Sequence, residues 1–254
     1  MVLNDAKDIF TNTDENLRSQ FELVSTECNH GKHCIISVSG FLSEKDNNIE
    51  AWSGITKNNP MLPVYSYRWA SNGIFCLLNP VKGFLIPQFS IKSALRHLLF
   101  VYKVGKFAFD YRSLFTNSVK IAKISGKLLA HALMLQFPLE CESVSLVGFS
   151  LGTQVIYSCL EELKKYNYDN IINNVYFLGG AVNVHKDEEW AETLQIPRGS
   201  IYNGYCTKDY ILLLYKASMF KQPIGLGPLF ILNKVTDKNK DIHSRYEKIK
   251  KDVR

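Results

Sequence analysis

Residues 148–152 read Gly-Phe-Ser-Leu-Gly, and their flanks constrain this chain more than any other feature. An apolar run, Val144–Val147, precedes the pentapeptide, and a stretch of helical character, Thr153–Tyr166, follows it. A strand, a Gly-x-Ser-x-Gly turn and a helix in that order describe a nucleophile elbow. The turn is too tight for side chains at its flanks, which accounts for Gly148 and Gly152. The oxygen of Ser150 is then held out at the edge of a sheet. Behind it, the helix N-terminus favours negative charge. The competing reading is a glycine-rich strand-to-helix turn whose serine is idle.

The rest of the chain supplies the alternation that such an elbow needs. Apolar and alternating runs predict strands at Phe21–Ser25, Cys34–Ser39, Val64–Trp69, Ser143–Val147, Asn174–Leu178, Ser200–Tyr205 and Leu229–Leu232. Helical spacing predicts helices over Asn117–Gln136, Thr153–Tyr166, Tyr210–Phe220 and Ser244–Asp252, after a polar lead-in over residues 1–18. Strands that alternate with helices predict an α/β fold, a mostly parallel sheet flanked by helices. A length of 254 residues with 46% hydrophobic content suits a single domain over residues 1–254. One interval is too long for a plain crossover. Its surplus, residues 70–112, is apolar, aromatic and basic. It reads as a cap, lid or membrane-facing insertion ahead of the nucleophile strand, or else as a pair of packing helices.

Charge is unevenly spread. Between residues 61 and 137 there are ten basic residues and one acidic residue, Asp110, within a chain of net charge +6. Such a segment suits an anionic membrane surface as a peripheral partner, although its commoner meaning is a solvated helix face. No nucleic-acid-binding motif accompanies it, so no nucleic-acid partner is expected. The six cysteines stand at 28, 34, 76, 141, 159 and 206 with no Cys-x-x-Cys pair, as reduced core cysteines do. Cys28, His30, His33 and Cys34 have metal-ligand types but not a usual zinc spacing, and read as a polar turn before a strand. Neither a metal nor a cofactor is expected. The polar N-terminus lacks a signal-peptide core, no glycosylation sequon occurs, and no apolar run reaches the ~18 residues of a spanning helix. The expectation is a chain made in the cytosol and not secreted.

A serine nucleophile needs a base, a group that orients the base, and donors for the oxyanion. On a parallel sheet with an elbow, the chain order is serine, acid, histidine. Two histidines follow Ser150. His185 lies early, in a polar loop, whereas His243 lies past the last predicted strand, where the base belongs. Asp209 fits the acid, placed just after Ser200–Tyr205. It also suits the N-cap of the following helix, and the two roles are compatible. Asp187, Glu188 and Glu189 are rivals within a charged run, and Asp241 reads as a turn former. The oxyanion donors are expected from the backbone N–H of Leu151 and from Phe41 or Leu42, after a strand that ends at Gly40.

These residues resemble a known family. VSLVGFSLGTQVIYSCLEEL, NVYFLGGAV and IYNGYCTKDYILLLY are similar to the transmembrane and coiled-coil domain-containing protein 4 family. The likeness extends to CIISVSGFLSE, YSYRWAS and SVKIAKISGKLLAHAL, and covers about residues 30–250. It implies an α/β-hydrolase-like fold, a triad of Ser150, Asp209 and His243, and a membrane-associated eukaryotic protein. Lys82, Lys92, Arg96, Lys103 and Lys106 interrupt the segment where family members can be strongly apolar, so peripheral attachment at the cytoplasmic face of a membrane is expected there. Two functions follow as expectations. One is a serine hydrolase of esterase or lipase type that cleaves a lipid or other apolar ester. The other is an inactive hydrolase scaffold that serves membrane trafficking or protein binding.

Overall fold

A computed structural model describes residues 4–5, 20–24, 32–40, 48–58, 60–70, 94–136, 141–184, 188–229 and 235–239. The described strands are β1 (Gln20–Leu23), β2 (His33–Val38), β3 (Val64–Arg68), β4 (Ser143–Phe149), β5 (Ile172–Leu178), β6 (Ile201–Tyr205) and β7 (Val235–Asn239). They form one seven-stranded sheet in the order β1-β3-β2-β4-β5-β6-β7. Only β1 runs antiparallel, against β3; the remaining pairs are parallel. At that antiparallel edge, Arg68 Nε donates to Glu22 Oε2 at 2.7 Å. The described helices are α1 (Asn48–Ala51), α2 (Ser53–Asn58), α3 (Ala94–Met134), α4 (Gly152–Lys165), α5 (Glu188–Thr193) and α6 (Tyr210–Met219).

Each strand divides its side chains between two faces. Ile36, Val38, Leu146, Val175, Phe177 and Ile201 point into the larger core, shared with α3, α4 and α6. Ile35, Val64, Val147 and Phe149 point the other way and pack with Trp52. Helix α4 is buried along most of its length, with Val155, Ile156, Cys159, Leu160 and Leu163 fully enclosed at helical spacing. It packs on α3 so closely that a Cβ on Gly126 would lie 2.4 Å from the Val155 carbonyl oxygen. Further along that seam, buried His131 of α3 hydrogen-bonds Glu162 of α4 at 3.3 Å, and its ring meets the Tyr166 ring edge-on. One antiparallel edge strand followed by parallel strands in this order, with helices on both faces, is an α/β-hydrolase-like sheet, as expected.

One expectation is corrected, and another falls mostly outside the described residues. Asn117 does not begin a helix: α3 is continuous from Ala94 to Met134, about 60 Å long at helical rise. No proline interrupts those residues, and the basic residues that look like a boundary in the sequence are compatible with helix. Residues 94–112 of the expected insertion therefore belong to this helix, and residues 71–93 lie outside the described residues. The expected strand Leu229–Leu232 lies mostly outside the described residues. Leu229 is buried but outside any strand, residues 230–234 lie outside the described residues, and the last described strand is Val235–Asn239. Its sequence, VTDKN, is polar because an edge strand needs no continuous apolar run. The expected helix Ser244–Asp252 also lies outside the described residues.

Candidate active site

Strand order decides where a ligand meets this sheet. From β2 the chain crosses to β3 on one side, then returns past β2 to β4 on the other. In open parallel sheets the crevice outside the carboxyl ends of two such strands is the binding position. Here those ends carry Ser39 and Gly40 after β2 and Ser150 after β4.

Ser150 adopts φ 50°, a left-handed conformation that costs an ordinary residue roughly 1–2 kcal/mol. Neighbours hold it there. Its N–H donates to the Leu178 carbonyl at 2.9 Å, and its carbonyl accepts from the Thr153 N–H at 3.2 Å and the Ala181 N–H at 3.0 Å. The Thr153 hydroxyl donates to the same carbonyl at 2.6 Å and accepts from the Ala181 N–H at 3.1 Å. The flanking glycines are required by contact. A Cβ on Gly152 would lie 2.3 Å from the Val38 carbonyl oxygen and 2.5 Å from that of Ser39. One on Gly148 would lie 3.1 Å from the Thr153 backbone. Leu151 is buried and stands directly before the first turn of α4.

The segment after β2 lies against the elbow. A Cβ on Gly40 would meet that of Ser150 at 3.0 Å. Two tryptophans, neither given a role by the sequence alone, pin Ser39. Trp52 Nε1 donates to its hydroxyl at 3.1 Å, and Trp69 Nε1 donates to its carbonyl at 2.9 Å. Thr153 was likewise missed. The signals were a threonine three residues past a Gly-x-Ser and two indole donors in apolar surroundings, which need partners when buried. Phe41 and Leu42 lie outside the described residues.

Asp209 is buried after β6 and caps α6, accepting from the Leu212 N–H at 3.0 Å. Its loop is held by the Cys206 N–H, which donates to the Gly225 carbonyl at 2.9 Å. Asn203 supports the same turn by donating to the Gly227 carbonyl at 3.1 Å. A carboxylate has lone pairs enough to cap a helix and orient a histidine. His243 lies outside the described residues, four positions beyond Asn239 in the chain. His185 also lies outside them. His33 stands at the opposite end of the sheet, where its ring bonds the hydroxyls of Ser143 at 2.9 Å and Ser145 at 3.1 Å. Burial lowers its pKa. Among the described residues no cluster of His, Cys, Asp and Glu is arranged to hold a metal ion. No described helix is long and apolar enough to cross a membrane.

Residues 10–244 match a family described as Protein of unknown function (DUF726). A membrane protein of Schizosaccharomyces pombe, named "Uncharacterized membrane protein C6F6.13c", is 31% identical over 78% of this chain and 27% of its own length. The rice "Transmembrane and coiled-coil domain-containing protein STS1" is 28% identical over 81% of this chain and 33% of its own. The chain thus spans about a third or less of these two relatives. "Probable lipase MIL1" of Saccharomyces cerevisiae is 36% identical over 41% of this chain and 10% of its own length. Among solved structures, carboxylesterase CesB of Bacillus subtilis is similar at 10% identity, covering 99% of this chain and 94% of that one, with a TM-score of 0.41.

Proposed function

The chain belongs to the DUF726 family, and we propose that it is a serine hydrolase of esterase or lipase type acting on a lipid or other apolar ester. The observation that carries this reading is Ser150 at φ 50° between β4 and α4. A strained, non-glycine residue held by four hydrogen bonds at a sheet's switch point has a cost that a plain turn has no reason to bear. The chain order of Ser150, Asp209 after β6 and His243 after β7 supports it, as does the relative named a lipase. Ser150 Oγ attacks the ester carbonyl while the His243 imidazole takes its proton and Asp209 holds the imidazole's tautomer. The N–H of Leu151 and one from Phe41 or Leu42 bind the oxyanion. The tetrahedral intermediate collapses, the C–O bond breaks, and the alcohol leaves with the proton from His243. Water, deprotonated by the same base, then releases the acid and restores Ser150. The relatives named membrane proteins and the basic segment support work at the cytoplasmic face of a membrane.

The test is labelling by a fluorophosphonate probe. Wild type labels and Ser150→Ala does not. An unlabelled but folded wild type, or equal labelling of Ser150→Ala, refutes the hydrolase and leaves the scaffold reading.

A further inference from the structure

Helix α6 is apolar on both sides. Its inner side is Leu212, Tyr215 and Ser218, all buried, and Tyr215 meets the Phe115 ring of α3 edge-on at 5.4 Å. Burial pushes the Tyr215 hydroxyl up to about 12. Its outer side should be polar on a surface helix of this kind. Instead Tyr210 is 69% exposed, Leu213 40% and Phe220 78%, and Ile211, in the first turn on the flank of Tyr215, is 53% exposed. Of the seven exposed large hydrophobic residues in the described structure, these are four. Scattered apolar residues are ordinary, but a cluster of them is not.

Two details show that the cluster is built. Phe220, the C-cap of α6, has φ 54° and ψ 37°, a conformation that usually falls to glycine at a helix end. A bulky residue is thus held in a disfavoured conformation with its ring facing outward. Among the residues whose side chains are described, the charges around the patch are also of one sign. Lys208, Lys216, Lys221 and Arg112 are exposed at its edge, and the Arg112 guanidinium lies 5.4 Å from the centre of the Phe220 ring. From residue 200 to residue 229 the sole acidic residue is Asp209, which is buried.

We propose that the outer face of α6 docks on an anionic lipid surface, with Tyr210, Leu213 and Phe220 entering the headgroup region and Lys208, Lys216, Lys221 and Arg112 binding acidic headgroups. Aromatic and aliphatic side chains ringed by cations match an anionic bilayer surface. A second copy of the chain fits poorly, because a two-fold contact brings the cationic rim against itself. The surface is separate from the basic segment read from the sequence, apart from Arg112, and its binding does not depend on the chemistry of Ser150. It does begin at Asp209, so docking would present the carboxyl edge of the sheet to lipid.

Sedimentation with phosphatidylcholine vesicles, with and without phosphatidylserine, tests this. Three variants accompany wild type: Leu213→Ser/Phe220→Ser, Lys216→Glu/Lys221→Glu, and Ser150→Ala. Wild type and Ser150→Ala should bind the phosphatidylserine vesicles alike and release as salt rises. Each double variant should bind them about 10-fold or more weakly, with melting close to that of wild type because the altered side chains are exposed. Wild type that does not prefer phosphatidylserine, or double variants that bind like wild type, would overturn the proposal. So would a dimer, seen by light scattering, that both double variants abolish. Fluorophosphonate labelling of Ser150 without lipid reports the hydrolase separately, so either reading can fail alone.

Discussion

Adding one methyl group at Gly152 should destabilise this protein, while the same methyl at Gly54 should stabilise it. In Gly152→Ala the new Cβ would lie 2.3 Å from the Val38 carbonyl oxygen and 2.5 Å from that of Ser39, where ordinary carbon–oxygen contacts are about 3.3 Å or more. Relief requires a shift of about 1 Å between the end of β2 and the elbow. No side-chain rotation supplies it, because both obstacles are backbone. Val38 is in register with Gly148 across the β2–β4 ladder, and the Ser39 carbonyl is held by Trp69. Overpacking costs roughly 1–3 kcal/mol, and a rigid backbone obstacle puts this case at the upper end, about 3 kcal/mol. In a chain of this size each kcal/mol moves Tm by about 2–4 °C, so Gly152→Ala should melt about 6–12 °C below wild type. Gly54 lies in α2, and its added Cβ would meet nothing within 4 Å. Gly54→Ala should gain about 0.5–1 kcal/mol through helix propensity and a less flexible unfolded chain. Thermal and urea melts of both variants read the difference. A Gly152→Ala protein that melts within about 2 °C of wild type would refute the claim that the elbow and β2 are in rigid contact. If Ser150 is the nucleophile, the folded Gly152→Ala protein should also label about 100-fold more slowly, as expected of a group displaced by 1 Å.

Trp69→Phe removes the donor that holds the Ser39 carbonyl and leaves a void. It should cost about 2 kcal/mol in urea melts, and should slow fluorophosphonate labelling by more than a buried substitution far from the elbow does. His33 gives a pH dependence with a definite sign. Burial holds its pKa below the usual 6.5, so the folded state binds fewer protons than the unfolded chain between the two values. That part of the stability is complete above pH 6.5 and is lost as pH falls through the lowered value. Tm should therefore drop on acidification more steeply in wild type than in His33→Gln, and parallel Tm profiles would remove His33 from the account.

The elbow was legible because its determinants are local. Sterics at a tight turn demand the two glycines, and an apolar run before and a helical period after identify the strand and helix that they join. Asp209 was legible as a cap for the same reason, since the bond to the Leu212 N–H spans three residues. β7 was hidden because its sequence, VTDKN, carries a weak apolar signal. The unity of α3 was hidden because basic residues are compatible with either a loop or a helix. Trp52, Trp69 and Thr153 showed no role in the sequence because their partners are set by folding. Trp69 and Ser39, for example, are 30 residues apart in the chain.

The sequence by itself determined that Ser150 lies on a turn between a strand and a helix, that an acid and a histidine follow in order, and that strands alternate with helices. Only the tertiary structure decided that β2 lies beside β4, so that the carbonyls of Val38 and Ser39 leave no room for a side chain at Gly152, and that Gly40 stands against Ser150. It also decided that one side of α6 packs inward on Phe115 of α3 while four large apolar residues are left facing solvent. The division is physical. Dihedral sterics, capping and hydrophobic period act within a few residues and can be read along the chain. Which backbone stands against which glycine, and which apolar face finds no partner, depend on where elements far apart in sequence come to rest.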